Sequence, residues 1–140
     1  MFFGRYDYTI DEKGRMNFPA KFREAMGPGE FVILQWVDHC LFALPMPEVD
    51  KLAERLGSEE LMSSWETTGD LFSNATTAEP DKQGRILLPA DFRKYAGLAQ
   101  NVTIIGNRNH AEIWDTETWN ARHSAITNEQ RRQKLTELHI

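Results

Sequence analysis

The sequence predicts a mixed α+β fold, rich in β-strands and built from two copies of one small unit. Three observations predict it. Residues 11–27 align without a gap on residues 81–97, and eight of the seventeen positions are identical. Ordinary residue frequencies give roughly one such match. The same offset of 70 lays Phe31-Val32-Ile33-Leu34 on Asn101-Val102-Thr103-Ile104, and Leu41-Phe42-Ala43-Leu44 on Ala111-Glu112-Ile113-Trp114. Short apolar runs of that length, bounded by turn residues, are strand signals, and helical spacing is confined to the segments around them.

The first unit covers residues 3–47. Tyr6 to Ile10 suits a strand. Asp11-x-x-Gly14-Arg15 reads as a turn, because an aspartate side chain accepts backbone N–H groups and glycine takes positive φ. Arg15 to Phe18 suits a second strand, which Pro19 ends. A short helix follows from Ala20 to Met26, anchored on the core by Phe22 and closed by Gly27 as a left-handed C-terminal residue. Two strands near 31–37 and 40–45 complete the unit. The second unit, residues 73–118, repeats the plan with the turn Asp81-x-x-Gly84-Arg85, Pro89, a helix from Ala90 to Ala96 anchored by Phe92 and closed by Gly97, and strands near 101–106 and 111–115. A unit this small exposes strand edges and buries its apolar face poorly. Two units packed as a pseudo-symmetric pair solve both problems.

Residues 48–72 form a helical insert. Pro47 can start a helix carrying Val49, Leu52, Ala53 and Leu56 at helical spacing. Ser58-Glu59-Glu60 opens a second one with Leu61, Met62, Trp65, Leu71 and Phe72. In the C-terminal segment, residues 119–140, a helix begins at Asp115 or Thr116 and carries Trp119. Residues 127–140 form either a further helix, with Leu135 and Leu138 apolar, or a frayed tail.

Composition excludes several classes. The chain has 140 residues, 41% of them apolar and 26% charged, which is ordinary globular composition. No apolar run is long enough to span a membrane, and the N-terminal residues lack a secretory pattern. Cys40 is the single cysteine, so no intrachain disulfide forms and a reducing, cytoplasmic location fits. The net charge of −5 argues against a protein that simply coats nucleic acid. Its distribution is uneven, however. Residues 1–27 hold five Lys/Arg against four Asp/Glu, residues 81–97 hold four against two, and residues 28–80 hold two against ten. Phosphate binding follows the local field rather than the whole-chain sum.

These residues resemble the MraZ family of the SpoVT–AbrB superfamily. The resemblance rests on Met1-Phe2-x-Gly4, on Asp11-x-Lys13-Gly14-Arg15-x-x-x-Pro19, and on Asp81-x-x-Gly84-Arg85-Ile86-x-x-Pro89. It continues through Gly97-Leu98, Val102, Gly106 and Glu112-Ile113-Trp114-Asp115. It implies a double-split β-barrel of two swapped-hairpin, SpoVT–AbrB-like halves, ring-shaped homo-oligomers, and a cytoplasmic, nucleoid-associated regulator. Such a protein binds double-stranded DNA at short direct repeats in a promoter, upstream of a division and cell-wall gene cluster that includes its own gene. Repression is the family expectation. Gln83 stands where the first repeat has Lys13, a departure that weakens the second turn's claim on DNA.

The candidate contact surface is the pair of turns. Lys13 and Arg15 project from the first and Lys82 and Arg85 from the second, with Arg5, Lys21, Arg23, Arg93 and Lys94 flanking them. Lysine acts on phosphate as a point charge, and arginine can present its planar fork to guanine O6 and N7. A β-hairpin turn is narrow enough for the major groove. Asp11, Gly14, Asp81 and Gly84 shape the turns. Asp11 and Arg15, like Asp81 and Arg85, can also pair simply to stiffen them. Arg23 and Arg93 read as solvated helix residues or partners of the helix C-terminus. The four tryptophans, Trp36, Trp65, Trp114 and Trp119, read as core or interface anchors.

No cofactor, metal, membrane or small-molecule substrate is expected. His39, His110, His123 and His139 show no metal-ligand spacing, and no glycine-rich phosphate loop is present. His39-Cys40 is the one thiol–imidazole neighbour pair, and adjacent strand residues point to opposite faces. Three rivals stand beside the regulator: an antitoxin-like module that holds a protein partner with its tail, a structural ring protein with no DNA role, and a hydrolase acting through Cys40.

Overall fold

The structure, a computed structural model, describes residues 1–58 and 61–140. The first repeat supplies strands β1 (Arg5–Thr9), β2 (Arg15–Asn17), β3 (Phe31–Trp36) and β4 (Cys40–Leu44). Helix α1 (Ala20–Met26) lies between β2 and β3, and α2 (Met46–Gly57) and α3 (Leu61–Ser73) follow β4. The second supplies β5 (Ala75–Ala78), β6 (Arg85–Leu87), α4 (Ala90–Tyr95), β7 (Asn101–Asn107) and β8 (His110–Asp115), then α5 (Thr116–Ser124) and α6 (Asn128–Glu137). The fold is therefore α+β with antiparallel pairing throughout the described ladders. Helices α2 and α5 begin 70 residues apart, at Met46 and Thr116, so helices follow both repeats at the same place.

The repeats exchange strands. Six strands form a sheet in the order β1-β7-β8-β4-β3-β5, and β2 pairs with β6 in a separate two-stranded ribbon. Among the described residues, only the β3–β4 and β7–β8 hairpins stay within one repeat. The contacts β1–β7, β3–β5, β4–β8 and β2–β6 all cross between repeats. The strands beside each Asp-x-x-Gly-Arg turn form as the sequence suggests, but they do not pair with each other. The turn is a crossing from sheet to ribbon rather than the tip of a hairpin. The reason is burial: Met16 and Ile86, at the middle of β2 and β6, are each 1% exposed. One short strand alone could not cover its own apolar residue. The six-stranded ladder stays open, with β1 and β5 at its edges.

Alternation divides the apolar residues between the two faces of the sheet. One face carries Phe31, Ile33, Leu41, Ala43, Val102, Ile104, Ala111 and Ile113. It packs on Met16 and Ile86 of the ribbon and on Phe22 and Phe92 of α1 and α4, forming the main core. Phe22 sits edge-on to Phe2, Tyr6 and Phe18, which anchors α1 as expected. The other face carries Val32, Leu34 and Leu44, covered by Val49 and Leu52 of α2. Glu112 is buried on that face among donors: His110 Nε2 at 2.9 Å, Asn107 Nδ2 at 2.9 Å and Trp114 Nε1 at 3.0 Å. Burial pushes its carboxyl up, but the three hydrogen bonds outweigh it and leave the pKa below the ordinary value.

One local expectation needs correction, the left-handed close at Gly27. Gly97 closes α4 in the left-handed region at φ 61°. There its N–H donates to the Lys94 carbonyl, and the Leu98 N–H donates to the Arg93 carbonyl. Gly27 closes α1 differently, with φ 82° and ψ −179°, because Pro28 forces the preceding residue into an extended ψ. Ser58 ends α2, its hydroxyl donating to the Arg55 carbonyl at 2.7 Å. Glu59 and Glu60, which with Ser58 make the expected start of the next helix, lie outside the described residues. Trp65 is 66% exposed, which leaves the interface alternative of its expected anchoring role. Residues 127–140, left open as helix or tail, contain α6. It is capped reciprocally by Thr127 and Gln130, and all its residues are exposed.

Candidate nucleic-acid interface

Each Asp-x-x-Gly-Arg turn is held by its own aspartate. Asp11 Oδ1 accepts the Lys13 and Arg15 backbone N–H groups, both at 2.9 Å, and Oδ2 accepts Arg15 Nε at 3.0 Å. Asp81 repeats the arrangement with the Gln83 and Arg85 N–H groups at 2.9 Å and Arg85 Nε at 3.3 Å. Backbone hydrogen bonds to Arg15 and Arg85 are the largest cause holding these two carboxyls below the usual aspartate range. Both arginine bonds use Nε, so the η nitrogens keep donors not used within the pair.

Glycine is demanded twice over at each turn. Gly14 has φ +90°, and a Cβ there would stand 2.4 Å from the Leu88 carbonyl oxygen. Gly84 has φ +80°, and a Cβ there would meet the Arg23 guanidinium at 2.7 Å. The close approach explains a pair of residues the sequence reading misjudged. Arg23 and Arg93 are half-buried clamps across the repeats rather than solvated helix positions. Arg93, on the second repeat's helix, lies over Gly14 and donates to the Leu88 carbonyl at 3.1 Å and the Glu12 carbonyl at 3.3 Å. Arg23, on the first repeat's helix, lies over Gly84, with its Nε buried and without a hydrogen-bond partner. The available signal was their identity at matched positions in both repeats.

The ribbon fixes how the turns relate. Arg15 pairs with Leu87, Met16 with Ile86, and Asn17 with Arg85. Directly paired residues, and residues two apart, share a face of a β-ribbon. Arg15, Asn17, Arg85 and Leu87 therefore share the outer face, while Met16 and Ile86 point into the core. Phe18 N–H donates to the Gly84 carbonyl and Leu88 N–H to the Gly14 carbonyl, so one turn lies beside each end of the ribbon. Lys13 and Lys82 are exposed at those tips. The sequence-predicted residues Lys13, Arg15, Lys82 and Arg85 thus border a single surface. Arg5 stands on β1, in the six-stranded sheet instead of the ribbon, with Nε and Nη2 each 3.3 Å from Asp7 Oδ1.

The chemistry available elsewhere is limited. Cys40 is buried, and burial, with the charges of Glu112 and Asp38, pushes its thiol up to about 12. His39 points its Nδ1 at the Tyr95 carbonyl, 3.3 Å away. Neither ring nor thiol is placed as half of a dyad. Among the described residues, no three His, Cys, Asp or Glu side chains gather to hold a metal ion, and no helix is long and apolar enough to cross a membrane.

The family whose sequence model matches is that of the MraZ protein, described as antitoxin-like, with matches at residues 1–70 and 71–139. Among curated proteins, the chain is 41% identical to the Transcriptional regulator MraZ of Leuconostoc citreum (strain KM20), over 85% of this chain and 84% of that one. It is 45% identical to the protein of the same name from Halothermothrix orenii, over 85% and 84% of the two chains. It is 38% identical to that of Pelotomaculum thermopropionicum, over 100% and 99%.

Proposed function

The chain belongs to the MraZ family, and from that premise we propose that it is a sequence-specific DNA-binding transcription regulator whose contact surface is the outer face of the β2–β6 ribbon. Its sites are short direct repeats in a promoter, its own among them, and it acts on them as a ring-shaped homo-oligomer, with repression the outcome that the family resemblance implies. The observation that carries the reading is that the ribbon sets Arg15 and Arg85 on one exposed face with Lys13 and Lys82 at its two ends. Two strands lie about 4.8 Å apart, and a major groove about 12 Å wide admits such a ribbon with its side chains.

The strand exchange between repeats supports the double-split barrel, with the ribbon laid across the open sheet by packing instead of by a continuous ladder. Self-association is supported by area. The chain exposes 9335 Å², against about 7,500 Å² for a compact monomer of its mass. A face of four residues and two tips binds weakly alone. Subunits linked at the spacing of repeated sites raise affinity through effective concentration.

The test is titration of a duplex, selected by the wild-type protein from a randomised pool, with Arg15→Ala, Arg85→Ala and Lys13→Ala at fixed salt. Loss of an arginine that reads a base costs about 1–3 kcal/mol and relaxes preference at its position, while loss of Lys13 weakens all sequences alike and lowers the salt slope by about one. Unchanged affinity in all three, with the fold intact, removes the surface. The antitoxin-like reading is kept as second because α6 projects with all its residues exposed. Co-purification of a stoichiometric protein partner that α6 deletion abolishes is its sign.

A further inference from the structure

The ribbon has a pseudo-two-fold axis through its middle pair, Met16 and Ile86, which are equivalent residues of the two repeats. About that axis Arg15 is related to Arg85, and the pairings Arg15–Leu87 and Asn17–Arg85 exchange. The two remaining positions on the outer face, 17 and 87, are therefore also equivalent. They hold different chemistry: asparagine in one repeat, leucine in the other. Both are exposed, Leu87 at 58%. An exposed leucine is ordinary by itself. Its place is not, since it sits opposite Arg15 on the face that carries both arginines and away from the core that covers Met16 and Ile86.

Two arginines related by a dyad read the same thing in either orientation, so alone they suit a palindrome. Direct repeats need a reader that knows its own direction. We infer that Asn17 and Leu87 are the residues that give this surface its direction and its discrimination among bases, in the major groove of double-stranded DNA. Leu87 packs on a thymine C5-methyl, and Asn17 pairs its amide with the N6–N7 edge of an adenine. These are the base features that an apolar side chain and a carboxamide recognise. The turn tips break the symmetry in the same sense: Glu12 and Lys13 in the first stand where Lys82 and Gln83 stand in the second. A one-directional surface also fits head-to-tail association, the type of contact that closes rings. The inference rests on the ribbon face being the DNA-binding surface.

The test uses the intact protein, with a duplex that the wild-type protein selects from a randomised pool. Each thymine is replaced in turn by deoxyuridine, which removes only the methyl, and each adenine by 7-deazaadenine, which removes only N7. Wild-type protein loses about fourfold in affinity at one thymine, the worth of one buried methyl, and about tenfold at one adenine, within the range of a base-pairing carboxamide. Leu87→Ala becomes indifferent to the first change and Asn17→Ala to the second. Both keep the wild-type salt slope, because no phosphate contact is lost. Both also select sites whose orientation is less defined. Indifference of the wild-type protein to every substitution overturns the inference. So does a loss in Leu87→Ala that is uniform over all sequences. Arg15→Ala is run alongside: if it abolishes binding while positions 17 and 87 prove inert, only this inference fails. If Arg15→Ala binds like wild type, the reading beneath it fails too.

Discussion

Gly14 and Gly84 occupy equivalent turns, yet their neighbours differ in how far they can yield. A methyl at Gly14 meets the backbone carbonyl of Leu88, whereas one at Gly84 meets the end of the Arg23 side chain. Gly14→Ala should therefore lower stability by about 3 kcal/mol or more, and Gly84→Ala by about 1–2 kcal/mol, since a left-handed non-glycine residue costs about 1–3 kcal/mol and a guanidinium can move aside. Urea unfolding of the two variants measures the difference, and equal losses would contradict the clamp geometry. Asp11 and Asp81 set a pH dependence. Their folded pKa values lie below the ordinary 3.8, so they stabilise the turns fully above about pH 4, and that contribution is lost as pH falls through the lowered folded values. Turn geometry, followed by the amide resonances of Lys13 and Gln83, should stay constant from pH 8 to 5 and change only in acid. Glu112→Gln should cost about 1–3 kcal/mol in unfolding experiments, because its buried donors lose hydrogen bonds to a charged acceptor. A loss below about 1 kcal/mol would show that its three donors contribute little.

The elements were largely legible in the sequence, and their partners were not. Proline, glycine and apolar runs placed each strand beside the turns and both short helices, because those signals act within a few residues. Which strand each one pairs with depends on burying Met16 and Ile86 together, a relation between residues 70 apart that no local pattern contains. For the same reason Arg23 and Arg93 read as solvated helix positions. Their contacts cross to the opposite turn, and only their repetition hinted at it. Arg93→Ala should loosen the first turn, leaving the Leu88 and Glu12 carbonyls without its donors, at about 1–3 kcal/mol. Hydrogen exchange at Gly14 and Arg15 reports this, and unchanged protection would contradict the clamp. In the candidate site, residue types pointed to Lys13, Arg15, Lys82 and Arg85. They could not show that Arg5 stands on a strand of the six-stranded sheet and not on the ribbon, which follows from the exchange of strands.

At the scale of the molecule, segregation reconciles an acidic chain with the proposed DNA-binding face. The acidic stretch 28–80 holds α2 and α3, and α2 covers the sheet face opposite the one that meets the ribbon. The most direct test uses this separation. A single cysteine is introduced by Leu87→Cys on the ribbon or by Glu54→Cys on α2, in a background with the buried Cys40 replaced by alanine, and each protein is offered duplex DNA carrying a thiol tethered to a base. The account predicts a disulfide cross-link to the base from position 87 and none from position 54. Cross-linking from 54 alone, or equally from both, would contradict it.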